Sequence, residues 1–102
     1  MSILVTKAEQ QLRSVVENAF RTCFEKGDLP EAEIPAFKIE IPADRSHGDY
    51  SANAALVGAR VFRTAPPKIA AALQSNIDLA DTYFASCEVA GAGFLNFRLS
   101  PA

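Results

Sequence analysis

Near its C-terminal end the chain reads Glu88-Val89-Ala90-Gly91-Ala92-Gly93-Phe94-Leu95-Asn96-Phe97-Arg98-Leu99. Two glycines at the centre of this stretch separate two runs rich in apolar residues, so the stretch predicts a β-hairpin with its turn at residues 91–93. Because successive residues of a strand point to opposite faces, Leu95, Phe97 and Leu99 are predicted to share one face. That face is entirely apolar, which indicates that it faces the core.

The other face of the same strand carries Phe94, Asn96 and Arg98. A ring, an amide and a guanidinium on an outward face can together stack a nucleic-acid base, hydrogen-bond it and hold its phosphate. The alternative interpretation is that Phe94 is covered, either by the Ala- and Gly-rich turn or by a neighbouring domain. The alternation alone leaves both interpretations open.

The composition is that of one globular domain. The chain has 102 residues, of which 49% are hydrophobic and 22% are charged, enough for a single core and a single domain over residues 1–102. The formal net charge of −2 argues against a general electrostatic binder of nucleic acid, since such domains are usually basic. Any RNA contact is therefore expected to be local, and no DNA partner is expected.

The two cysteines, Cys23 and Cys87, belong to no Cys-x-x-Cys motif and no Cys/His cluster. We therefore expect neither a metal site nor a disulfide framework. Both residues fall on predicted apolar faces and are predicted to be buried thiols, which suits a reducing cytoplasm. No apolar run is long enough to cross a bilayer and no signal peptide is visible, so we expect a cytoplasmic protein without a membrane partner.

A long first helix is predicted from apolar residues that recur every three or four positions over residues 8–24. Thr6 is its predicted N-cap, and Glu9, three residues on, completes a capping box. Gly27 is its predicted end. After a loop that contains two prolines, residues 37–41 alternate apolar and charged side chains and predict a half-buried strand.

The polar centre of the chain contains its only histidine, His47. A hydrolase would combine His47 with Asp49 and with Ser46 or Ser51, but the sequence has no G-x-S-x-G motif, and we assign no catalytic residue. The favoured interpretation is a tight turn at Gly48, with or without a short strand. This turn leads into a helix that Asp49 or Ser51 caps.

Small residues predict a second helix over residues 51–63, and a third helix is predicted from an N-cap at Thr64 to Asn76. A strand over residues 83–90 then leads into the hairpin. The elements thus follow an α-β-β-α-β-β-like order, with a helix pair at the second α position. This order predicts an α+β fold with two layers, in which the helices pack on one face of a small antiparallel sheet.

Three motifs occur in order along the chain. They are His47-Gly48-Asp49-Tyr50-Ser51-Ala52-Asn53, then Ala65-Pro66-Pro67-Lys68-Ile69-Ala70, and last the hairpin stretch from Glu88 to Phe97. Together they resemble the N-terminal accessory domain of arginyl-tRNA synthetases. Each motif alone is weak, but the three at this spacing are specific, and the resemblance covers nearly the whole chain.

The resemblance implies an accessory domain of a class I aminoacyl-tRNA synthetase, the enzyme that joins arginine to its tRNA with ATP and Mg²⁺. It implies that the domain does no chemistry and contacts the D-loop at the outer corner of the tRNA. An aromatic residue and an amide make that contact in the family, and they match Phe94 and Asn96 here. Some members carry a polar residue where this chain has Gly91, so a side-chain contact from that position is absent.

A phosphate contact from Arg98 is our inference from the strand face rather than from the family. The first motif could act either as structural support or beside the RNA. Both interpretations apply to four residues of this motif, Gly48, Asp49, Tyr50 and Asn53.

The sequence stops at Pro101-Ala102, where a complete synthetase would continue into its catalytic domain, and the H-I-G-H and K-M-S-K-S signatures of that class are absent. We therefore expect a fragment of a longer synthetase, without catalytic activity and without a cofactor of its own; ATP and Mg²⁺ belong to the parent enzyme. The expected partners are arginine tRNA and the catalytic domain of the same polypeptide. The alternative is a protein–protein interaction or self-association module that uses the exposed Phe94 face.

Overall fold

The helices and strands occur in the order that the spacing of apolar residues predicts. The computed structural model describes residues 3–42, 48–80 and 82–100, and for residues 3–6 it describes the backbone only. The elements are α1 (Ile3–Lys26), β1 (Ile39–Glu40), β2 (Tyr50–Ala52), α2 (Ala54–Phe62), α3 (Pro66–Asn76), β3 (Phe84–Ala90) and β4 (Phe94–Leu99).

The strands form one antiparallel sheet in the order β1-β2-β4-β3, which places the last strand inside the sheet. Leu95 lies opposite Ala52 on one side and Val89 on the other, and Phe97 lies opposite Tyr50 in the same way. Helices α2 and α3 contact β4, and α3 also contacts β3 and α1. The predicted α+β fold with a small antiparallel sheet is confirmed.

The core lies between this sheet and the helices. From α1 it receives Leu12, Val16 and Phe20, all without solvent exposure. The Phe20 ring packs against Phe37 and Phe62, with ring centroids 6.4 and 5.6 Å away. The first helix thus joins the long loop before β1 to the end of α2.

Helix α1 begins at Ile3, so the predicted capping box at Thr6 and Glu9 is wrong. Leu4, Ala8 and Leu12 are spaced four apart, and this period continues the helix past the local capping signal. The predicted end is confirmed, because Gly27 has φ +80° and its N–H donates to the Phe24 carbonyl at 3.3 Å.

The predicted second helix begins too early. Residues 50–52 form a strand instead, because Tyr50 and Ala52 are buried on the inner face and pair with β4. Neither Asp49 nor Ser51 caps α2, whose N-cap is Asn53 without a side-chain cap hydrogen bond.

The other boundaries move less. Helix α3 follows an N-cap at Ala65, while the Thr64 hydroxyl donates to the Phe62 carbonyl at 2.9 Å, so the predicted Thr64 cap is wrong. The strand predicted over residues 37–41 shortens to the two residues that pair with β2.

Candidate nucleic-acid interface

The outer face of β4 carries the three predicted contact residues. Phe94 is 40% exposed and Arg98 is exposed, whereas the intervening Leu95 and Phe97 have no exposure. Asn96 lies on the same outer face but is only 8% exposed. The face predicted for each residue agrees with the structure, but the amide is far less open than the alternation suggests.

Asn96 is covered because its strand lies inside the sheet. Its neighbours across the strands are Ser51 in β2 and Glu88 in β3. Within the described parts of the chain its side chain has no hydrogen-bond partner, and it is not among the fully buried polar groups that lack one. An amide carries two N–H donors and a carbonyl acceptor, so this recessed group offers unused hydrogen-bonding capacity at the surface.

Phe94 lies at the hairpin turn, opposite Ala90. A Cβ atom placed on Gly91 would lie 3.8 Å from the Phe94 ring, so the turn runs beside the ring but has no side chain at Gly91 to contact it. Ala90 and Gly91 have too little side chain to cover it, and 40% of Phe94 stays exposed. The turn therefore covers the ring only in part, and a face remains for stacking.

The far end of the strand differs from its prediction. Leu99 was expected on the core face, but it is 39% exposed. It pairs with Phe84 at the last position of β4, and a register shift follows between Phe84 and Ser86. Arg98 lies opposite Ser86 and is not an unpartnered cation.

Gly48 and Asp49, which directly precede β2, contact the backbone of β4. Gly48 is buried with φ +111°, and a Cβ atom there would lie 2.9 Å from the Phe97 carbonyl oxygen. The Asp49 N–H donates to that same oxygen at 2.8 Å, and the Asp49 carboxylate accepts the Leu99 N–H at 2.8 Å. Gly48 and Asp49 therefore support the backbone of β4 at Phe97 and Leu99.

Tyr50 and Asn53 are also structural in this arrangement. Tyr50 is buried edge-on against Phe84, and burial raises the pKa of its hydroxyl, with the charges of Glu9 and Asp49 as further causes. The Asn53 side-chain oxygen accepts the Lys38 N–H at 2.7 Å, and the Asn53 N–H donates to the Lys38 carbonyl at 3.2 Å. The side chain and N–H of Asn53 thus connect the residue before β1 to the start of α2.

The described residues provide no support for the hydrolase interpretation. His47 and Ser46 lie outside the described residues. The Asp49 carboxylate is occupied by the Leu99 N–H. Within the described part of the chain no three His, Cys, Asp or Glu side chains come together as a metal site would require.

Both thiols lack the features of a reactive cysteine. Cys23 is fully buried, and burial is the main cause that raises its pKa. Burial, with the charge of Glu88 as a second cause, raises the pKa of Cys87 to about 12. Cys23 is buried as predicted, whereas Cys87 is only partly buried, and both thiols are protonated at neutral pH.

A row of outward side chains crosses the sheet through Asn96. The pairing places Glu40 opposite Ser51, Ser51 opposite Asn96, and Asn96 opposite Glu88. The two carboxylates are exposed at the two sides of the sheet. Ser51 and Glu88 were not predicted to flank Asn96, although counting outward from the three-residue turn pairs Glu88 with Asn96.

No helix among the described residues has the length and apolar character needed to cross a membrane.

The comparisons with known proteins agree with the motifs. A family model described as the arginyl tRNA synthetase N terminal domain matches residues 7–99. An arginine–tRNA ligase of Acetivibrio thermocellus is 37% identical over the whole chain, and one of Desulforamulus reducens is 38% identical; the chain spans 18% of each.

Solved structures show the same fold. The chain matches an arginyl-tRNA synthetase of Plasmodium falciparum with a TM-score of 0.67 at 21% identity, covering 90% of this chain and 16% of that one. It matches the Thermus thermophilus arginyl-tRNA synthetase with a TM-score of 0.56 at 28% identity, covering 87% of this chain and 14% of that one. The chain thus spans less than a fifth of the relatives named here.

Proposed function

Because the chain belongs to the family of arginyl-tRNA synthetase N-terminal domains, we propose that it binds arginine tRNA at the D-loop, on the outer corner of the molecule. In this role it supports aminoacylation by the catalytic domain of a complete synthetase. ATP and Mg²⁺ would act in that catalytic domain, and the site of action would be the cytoplasm. The chain itself would contribute binding and no chemistry.

The observation that carries the proposal is the pairing of an exposed ring with an unused amide on one face. Phe94 is 40% exposed, and Asn96, two residues on, has no side-chain partner within the described residues. A base stacked on the ring could satisfy the amide with its polar edge. Stacking of one base contributes about 1–3 kcal/mol, so this contact supports recognition and does not supply all of the affinity.

The test is fluorescence anisotropy of labelled arginine tRNA titrated with this chain and its variants. Phe94→Ala should weaken binding by about 5- to 150-fold, which is the loss of one stacked base expressed as a ratio. Phe94→Tyr keeps the ring and should bind like the wild type. Leu99→Ala is the matched control, since Leu99 is exposed to almost the same extent on the same strand.

A second arm changes the RNA. An arginine tRNA in which single D-loop nucleotides are made abasic should lose affinity at one position, and Phe94→Ala should cost nothing further on that tRNA. Equal binding by the wild type and Phe94→Ala on the intact tRNA would contradict the proposal. So would a Phe94 effect that persists undiminished on every abasic D-loop.

The same exposed ring also favours a second candidate function, self-association. Phe94 and Leu99 place exposed apolar surface at both ends of one strand. In that case sedimentation velocity would show a concentration-dependent rise in mass that Phe94→Ala abolishes. A monomer at every concentration would leave RNA binding as the function of this face.

A further inference from the structure

The charges of this chain are unevenly distributed along the sequence. The chain carries 12 acidic and 10 basic residues, yet residues 50–77 contain no Asp or Glu. That segment, which holds β2, α2 and α3, contains three cations. They are Arg60, Arg63 and Lys68, all exposed, and we call them the basic turn.

The basic turn is not neutralised within the described parts of the chain. None of its three side chains makes an ion pair or hydrogen bond there. The first turns of α2 and α3 contain no acidic residue. Lys68 moreover lies in the first turn of α3, at the positive end of the helix dipole, where a cation is unfavourable. The three cations of the basic turn are therefore not paired with an acidic side chain among the described residues.

The fold brings the basic turn to the tip of the hairpin. A Cβ atom on Gly93 would lie 3.0 Å from the Pro66 Cβ and 3.1 Å from the Pro66 carbonyl oxygen, so the hairpin turn packs on the start of α3. Phe94 directly follows Gly93, and Lys68 is two residues from Pro66. Phe94 and Lys68 therefore each lie within two residues of this contact, and Arg63 lies three residues before Pro66.

In the opposite direction from Phe94, toward Arg98, a phosphate chain would have to pass acidic side chains. Along the outer face the row through Asn96 has an exposed carboxylate at each side, Glu40 and Glu88. A phosphate backbone that crossed this row to reach Arg98 would pass two carboxylates, whereas one that crossed the hairpin tip toward the start of α3 would approach the basic turn.

We propose that Arg60, Arg63 and Lys68 contact the phosphates that flank the base held by Phe94 and Asn96. The RNA backbone then crosses the hairpin tip toward the α2–α3 connection, while one base turns down onto the sheet face. This inference rests on the proposed function and adds the direction from which the RNA approaches.

Side chains rather than helix amides hold these phosphates. Pro66 and Pro67 have no N–H, and the N–H groups of Lys68 and Ile69 both donate to the Ala65 carbonyl, at 3.0 and 3.2 Å. The start of α3 therefore offers no free backbone donor, and the contact depends on the three cations.

The test measures how the affinity for labelled arginine tRNA depends on salt. A triple variant, Arg60→Gln with Arg63→Gln and Lys68→Gln, should lower the slope of log K against log salt by about 2–3, since each phosphate contact contributes about 0.7–0.9. Arg63 is a C-cap residue with φ 51°, and glutamine there is strained to the same degree, so the fold is retained. Circular dichroism of each variant checks this directly.

The matched control neutralises three exposed cations of α1 instead: Lys7→Gln, Arg21→Gln and Lys26→Gln. It changes the net charge equally and should leave the slope at its wild-type value. Phe94→Ala should lower the affinity without changing the slope, because a stacked base releases no counterion.

The outcomes separate the two proposals. A wild-type slope in the basic-turn variant, together with weakened binding by Phe94→Ala, overturns the inference and leaves the proposed function standing. An equal fall of the slope in the α1 control also overturns it, since net charge would then be the cause. Absence of any binding of arginine tRNA by the wild type overturns both proposals.

Discussion

The two faces of strand β4 differ although their residues alternate along six positions of one chain segment. On the inner face Leu95 and Phe97 have no solvent exposure and join the core. On the outer face Phe94 is 40% exposed, and the recessed amide of Asn96 is unpaired within the described residues. One strand therefore carries both the stability of the fold and the candidate binding site, and neighbouring substitutions should separate the two.

The largest effect is expected on the inner face. Phe97→Ala removes a fully buried ring that packs edge-on against Phe84, with centroids 5.9 Å apart. Such a substitution costs about 3–5 kcal/mol, a large part of the roughly 5–15 kcal/mol that stabilises a domain of this kind. Urea denaturation followed by circular dichroism measures the loss. A cost of less than about 1 kcal/mol would mean that the inner face is not the core.

The next effect concerns the backbone that supports the strand. Gly48→Ala introduces a Cβ atom 2.9 Å from the Phe97 carbonyl oxygen at φ +111°. Strain of this kind costs about 1–3 kcal/mol, and the contact with β4 adds to it. The control is Gly27→Ala, where φ is +80° but nothing lies within 4 Å. Denaturation should show Gly48→Ala to be the more destabilising of the two; the reverse order would refute the role given to Gly48.

A third prediction uses Cys87, which lies opposite Phe97 on β3. Burial raises the pKa of this thiol from 9.0 to about 12, so between those pH values the folded chain keeps a proton that the unfolded chain has lost. The free energy of unfolding should therefore fall as pH rises through this window, and the contribution is fully present below pH 9.

Cys87→Ala serves as the comparison for that prediction. Urea denaturation of both proteins below pH 9 and midway to pH 12 should show a steeper fall for the wild type. Other groups titrate equally in the two proteins, so only the difference in slope is informative. Parallel falls would show that Cys87 is as open to water as in the unfolded chain.

These contrasts also show which features the sequence alone could predict. The hairpin was predictable because its signals are local, namely the alternation from Phe94 onward and the glycines on either side of Ala92. The end of α1 was predictable for the same reason, since Gly27 directly terminates the apolar period.

The errors arise where distant pairing overrides local signals. Ser51 and Ala52 fall within the predicted second helix, yet residues 50–52 form a strand because β4, more than 40 positions away in the sequence, pairs with them. The depth of Asn96 was unpredictable for a similar reason, because Ser51 and Glu88 come from two other strands. The packing of the hairpin turn on the start of α3 was likewise unpredictable, because Gly93 and Pro66 are far apart in the sequence.

The smallest stability effect is expected at Phe94. This effect distinguishes most clearly between the inner and outer faces of β4. Phe94→Ala removes a ring that is 40% exposed beside a turn with no side chain at Gly91, so the free energy of unfolding should fall by under about 1 kcal/mol. Phe97→Ala, three residues away, should cost several times more. If both substitutions destabilised the chain equally, Phe94 would be a core residue, and a loss of RNA binding in Phe94→Ala would then report unfolding. A small cost in stability together with a large loss of affinity would instead assign the outer face of β4 to recognition. A substitution can reduce RNA binding without unfolding the chain only if the fold does not depend on the side chain that it removes.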